Sequence, residues 1–126
     1  MDIEKTKEYY SNLKREDTCD CDYCQNYIDE IKLAYPDVSE YLSTLGVDIE
    51  RPFEVLFPLD PVNGYMDYYG VEYLIAGDSG GFEENQIGDI TICKTDAHPA
   101  AVYEGEYFVI IAGTFHIKCN DKYNFT

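Results

Sequence analysis

The hydrophobic period of this chain changes once, near Pro52, and that change limits the fold more than any other feature. Before it, Cys24, Tyr27, Ile28, Ile31, Ala34 and Tyr35 recur at intervals of three and four, as do Val38, Tyr41, Leu42 and Leu45. Such spacing lays one apolar stripe along each of two amphipathic helices. After it, Phe53, Val55, Phe57 and Leu59 alternate with other residues, the two-residue period of a strand. Helices first and strands afterwards predict an α+β domain, with two to three N-terminal helices on one face of a mainly antiparallel sheet of about four strands.

Punctuation refines this outline. Asp22 is the expected N-cap of the first strong helix, Pro36 separates it from the second, and Gly46 is placed to end the second in the left-handed conformation. Asn63-Gly64 marks a tight hairpin turn. The following strand should carry Tyr65, Tyr69, Val71, Tyr73 and Ile75 on one face. Residues 87 to 94 read as a third strand. Residues 107 to 119 read as a long fourth one, apolar on both faces through Val109 to Ala112 and therefore central. Residues 1 to 18 are highly charged and read as a peripheral, weakly docked helix, residues 19 to 46 as the cysteine motif and helical layer, and residues 53 to 119 as the sheet of a single domain spanning 1–126.

Charge then excludes partners. With 25 acidic against 9 basic residues and a formal charge of −16, the chain repels nucleic acid and anionic membranes, both of which are held by Lys and Arg. A basic protein, a cation or plain solubility remains. No apolar run has the length of a membrane span, and the N-terminus lacks a leader-like stretch, so the expected location is the cytoplasm. Five cysteines, an odd number, fit reduced thiols there better than a disulfide framework.

Three of those cysteines fall within six residues, Cys19-Asp20-Cys21-Asp22-Tyr23-Cys24, at the start of the first strong helix. Three readings stand open. Thiolates at this spacing can supply two or three arms of a tetrahedral zinc site, with His98, His116, Cys93, Cys119 or Asp22 as candidate fourth ligand. The trio can also be a buried structural corner, since Cys24 lies on the helix's own apolar stripe. Thiol redox work at Cys21 and Cys24 is the third. It is disfavoured by Glu16, Asp17, Asp20 and Asp22, whose charges should push the thiols upward in pKa.

Gly77-Asp78-Ser79-Gly80-Gly81 matches the segment around the nucleophile of trypsin-like proteases and the hydrolase pattern G-x-S-x-G. Both matches fail on context. His98 and His116 follow the serine, whereas the trypsin-like order puts the histidine first, and no helix pattern follows as a hydrolase elbow requires. A glycine-rich loop between strands explains the segment.

Cys19-x-Cys21-x-x-Cys24-x-Asn26-Tyr27, followed by Leu45-Gly46-Val47-Asp48 and Pro52-x-Glu54, resembles a family of small bacterial proteins of unknown function over residues 19 to 117. The resemblance implies a shared α+β fold in which the cysteine segment is a designed feature, and it assigns no activity. The expectation is therefore a small acidic protein-binding or regulatory module without catalysis of its own, with structural or zinc-binding cysteines. An immunity-type protein that neutralises a basic partner is one form of it. A thiol-redox or metal-dependent enzyme is the alternative.

Overall fold

The computed structural model describes residues 1–96 and 103–125. Three α-helices, α1 (Ile3–Ser11), α2 (Asp22–Ala34) and α3 (Pro36–Thr44), precede six strands. These are β1 (Glu54–Pro58), β2 (Tyr65–Ala76), β3 (Asn85–Ile87), β4 (Ile90–Thr95), β5 (Tyr107–Gly113) and β6 (Phe115–Lys118). The sheet is antiparallel, in the order β1-β2-β5-β4-β3, with β6 beside the first part of β2. No helix among the described residues is long and apolar enough to cross a membrane.

The α+β class and the central position of β5 follow the sequence, but the sheet has six strands where about four were expected. Each of the two last expected strands is broken once. Gly88, at φ +59°, turns the third into the hairpin β3–β4. Gly113 divides the fourth into β5 and β6, and a Cβ there would run into the Tyr69 carbonyl, so only glycine fits this close approach.

The second break changes which tyrosines are buried. Tyr68 pairs with Phe115 and Val71 with Ala112, so two residues of each strand lie between the two ladders. Tyr68 and Tyr73 both reach Tyr27 of α2, although strict alternation would put them on opposite faces. The interruption at 69–70 has shifted the parity of β2. Met66 and Tyr68 therefore join Val71, Tyr73 and Ile75 in the core, while Tyr65 and Tyr69 stand 43% and 67% exposed. The expected single face of Tyr65, Tyr69, Val71, Tyr73 and Ile75 is corrected accordingly.

Tyr27 joins the layers. Its ring centroid lies 5.4 Å from that of Tyr68 and 5.7 Å from that of Phe115. Its hydroxyl lies 2.5 Å from that of Tyr73, which donates to the Ile49 carbonyl at 2.7 Å. Since the Tyr73 proton is used on Ile49, Tyr27 is the donor of the pair. Both tyrosines are fully buried and both hydroxyls are satisfied, as burial of a phenol requires.

Helix α1 is held more firmly than its charge suggests. The Tyr10 hydroxyl donates to the Leu74 carbonyl at 2.8 Å, and Thr6 Oγ1 accepts from the Ala76 amide at 3.0 Å. The Asp2 amide donates to the Ala76 carbonyl at 2.8 Å. The end of β2 is thus capped by α1, which corrects the expectation of weak docking. Gly46, at φ +84°, closes α3: Val47 N–H bonds Leu42 O and Gly46 N–H bonds Ser43 O, each at 3.0 Å.

Replacing Tyr73 by Phe removes the bond to Ile49 and strands the Tyr27 hydroxyl inside the core. The substitution should cost about 1–3 kcal/mol, read as a lower urea midpoint at unchanged slope. An unchanged midpoint would mean that this hydroxyl pair does not hold the layers.

Candidate metal centre

The chain reaches α2 through a short 3₁₀ turn, Arg15–Asp17, and an extended segment. Thr18 Oγ1 donates to the Arg15 carbonyl at 2.5 Å. Gln25, on the first turns of α2, donates to the Cys19 carbonyl at 2.7 Å and accepts from Arg15 Nε at 2.7 Å. This clamp folds the segment back over the helix start and brings Cys19 beside the other two thiols. The Sγ atoms of Cys19, Cys21 and Cys24 all lie within 4.8 Å of one another. Cys24 is buried on the apolar face of α2, whereas Cys19 and Cys21 are exposed.

The helix cap also differs from expectation. Cys21 is the N-cap, its Sγ accepting from the Cys24 amide at 3.5 Å. Asp22 occupies the first helical position and accepts from the Asn124 amide at 3.2 Å. A thiol therefore sits where a helix N-terminus stabilises negative charge.

Hydrogen bonds outweigh the nearby carboxylate at the Cys19 thiol, and burial dominates at Cys24. The Cys19 thiol is pulled down by the Cys21 amide and the Cys21 thiol, with the Cys24 thiol adding to them against burial and Asp20. Burial drives the Cys24 thiol far up, and its bonds to the Cys21 and Cys19 sulfurs add to this. The expected general upward push by the acidic residues is thus corrected at Cys19. Exposed carboxylates are screened by water, while donors in contact with the sulfur are not.

Among the described residues, no candidate fourth ligand falls within the 4.8 Å that the three sulfurs share. His116 lies on the opposite face of β6 from Phe115, which packs under Tyr27 and Tyr35. Its Nδ1 is 2.7 Å from Asp67 Oδ1, and its ring stacks on Tyr65 with centroids 4.7 Å apart. That pair borders a cavity of about 400 Å³ with exposed Leu59 and Val62. His98 lies outside the described residues. Cys93 is in β4 and Cys119 follows β6; burial raises both thiols, with Glu84 adding at Cys93. Among the described residues, the group of three or more donors close enough to share an ion is Cys19, Cys21 and Cys24. Zinc–sulfur bonds of about 2.3 Å place tetrahedral thiolates ~3.8 Å apart. The trio needs only a small contraction, and its exposed arm can supply it.

Ser79, in contrast, sits in a loop tightened by a bond from the Gly80 amide to Asp78 Oδ1 at 3.0 Å and from the Phe82 amide to the Ser79 carbonyl at 3.0 Å. The loop cradles the Met1 amine, which donates to the Asp78 carbonyl at 2.8 Å. Among the described residues, nothing there pairs Ser79 with a base.

Sequence periodicity did not reveal the C-terminal segment that borders the trio. Asp29 of α2 accepts from Arg15 at 2.8 Å, from Lys122 at 2.9 Å and from the Tyr123 hydroxyl in a short hydrogen bond. The Tyr23 hydroxyl donates to the Phe125 carbonyl at 3.1 Å, and the Asn120 amide to Asn26 Oδ1 at 2.8 Å. Burial works against the Asp29 charge, but bonds from Tyr123, Lys122 and Arg15 outweigh it and hold the carboxyl at about 2. A carboxyl depressed in the folded state stabilises above its unfolded value, about 3.9. That contribution should disappear as pH falls from about 4 toward 2. Amide protection in residues 120 to 125, corrected for the intrinsic exchange rate at each pH, should fall in this window before the core opens, and Asp29→Asn should show the low protection already at neutral pH. Equal protection factors at pH 7 and pH 3 would refute the latch.

No family model, no curated protein and no solved structure matches this chain.

Proposed function

We propose that the chain is a small binding or regulatory module without catalysis of its own, and that its working centre is a zinc ion held by Cys19, Cys21 and Cys24. The observation that carries this reading is the convergence of three sulfurs within 4.8 Å at a helix start. Three supports add to it. The hydrogen bonds at Cys19 favour thiolate, the form that binds metal. Asp20 and Asp22 beside the sulfurs welcome a divalent cation. A charge of −16 suits a basic protein partner and repels nucleic acid.

A second reading, thiol redox at Cys21 and Cys24, is favoured by the exposure of Cys19 and Cys21 and by the lowered Cys19 thiol. One experiment separates the two. Protein purified without chelator should contain one zinc per chain, with Cys19, Cys21 and Cys24 protected from alkylation. Cys24→Ser should lose the metal, and its removal from the unaltered chain should lower Tm by about 5 °C or more. A metal-free protein with a reversible disulfide within the trio would replace the zinc reading by the redox one.

A further inference from the structure

Zinc takes four ligands, and the described residues bring three. Among the described residues no further donor joins the three sulfurs within the 4.8 Å they share, and of the nearby carboxylates Asp22 accepts from the Asn124 amide and Asp29 from Arg15, Lys122 and Tyr123. His116 is committed to Asp67 and Tyr65 on the far face. With Cys24 buried and Cys19 and Cys21 exposed, an ion held by the three would lie at the surface, within reach of a ligand from outside the chain.

Charge then selects what can fill it. Three thiolates and Zn²⁺ carry a net −1, beside the exposed carboxylates of Glu16, Asp17 and Asp20. A fourth thiolate would raise the complex to −2 in that field, whereas a neutral imidazole leaves it unchanged. A second copy of this chain, itself at −16, would be repelled from the same surface. A basic segment would be attracted.

We infer that the fourth ligand of the Cys19–Cys21–Cys24 centre is a histidine of a basic polypeptide partner, so that the ion bridges the two proteins. The inference rests on the metal reading above and assigns the partner's donor and its surroundings. The donor is a histidine flanked by Lys or Arg, and it docks on the acidic lip of the helix start.

Cobalt(II) in place of zinc reports the ligand set through its visible d–d and sulfur-to-metal bands. The full chain is loaded with Co²⁺ and titrated with a lysine-rich peptide bearing one central histidine, with the same peptide bearing alanine instead, and with free imidazole. The histidine peptide should shift the d–d bands and bind at least about tenfold tighter than the alanine peptide. Its affinity should fall between about 50 and 300 mM salt, and imidazole should reproduce the spectral shift only at much higher concentration. Equal binding of the two peptides, or binding to the metal-free chain, overturns the bridge. So does a His98→Ala variant whose loaded spectrum already differs before any addition, because the fourth position would then be filled from within. Metal-dependent dimerisation would overturn the partner assignment in favour of a second copy. Failure to take up Co²⁺ at all would instead be the failure of the metal reading itself.

Discussion

The contact between Tyr27 and the sheet positions everything that matters in this molecule. Its ring rests against Tyr68 and Phe115 and its hydroxyl donates to Tyr73, so α2 is fixed both in depth and in rotation about its own axis. A helix rotated otherwise would bury a different stripe, and Cys24, one turn before Tyr27 on the same side, would leave the core. Because Cys24 is buried on the helix face, the other two sulfurs have a fixed point on which to converge. The Tyr68 hydroxyl carries the same constraint to the helix start, donating to the Tyr23 carbonyl at 2.6 Å.

Around that fixed point the cysteine segment is built from ordinary polar contacts. Gln25 and Arg15 fold the Cys19 arm back, and Asp29 gathers Arg15 together with Lys122 and Tyr123 of the C-terminal segment. One carboxylate therefore links the arm before α2, the helix itself and the last residues of the chain. The arrangement leaves one thiol inside and two outside. The acidic neighbours have two effects of unequal reach. On thiol protonation they are outweighed by donors in direct contact with the sulfur. On the approach of another molecule they act together and over a longer distance.

The sheet supplies the second lesson in placement. Where β2 meets the break between β5 and β6, two residues of each strand stand between the ladders, and the alternation of faces resumes with the opposite parity. Tyr68 enters the core and Tyr69 leaves it. The same break sends His116 to the surface opposite the helices, which removes it from the sulfur trio and pairs it with Asp67.

Local pattern was enough to determine the α+β class, the two amphipathic helices, the left-handed end at Gly46, the Asn63-Gly64 turn and the central β5, because each follows from nearest-neighbour periodicity or a single residue's backbone freedom. The closeness of Cys19, Cys21 and Cys24 was legible for the same reason, being a matter of six consecutive residues. Tertiary structure alone decided the splitting of two strands, the exchange of Tyr68 for Tyr69 in the core, the clamp by Gln25, the Asp29 latch and the separation of His116 from the sulfurs. Each of these depends on contacts between residues far apart in the chain, such as the Tyr69 carbonyl against Gly113, and periodicity carries no record of such pairs.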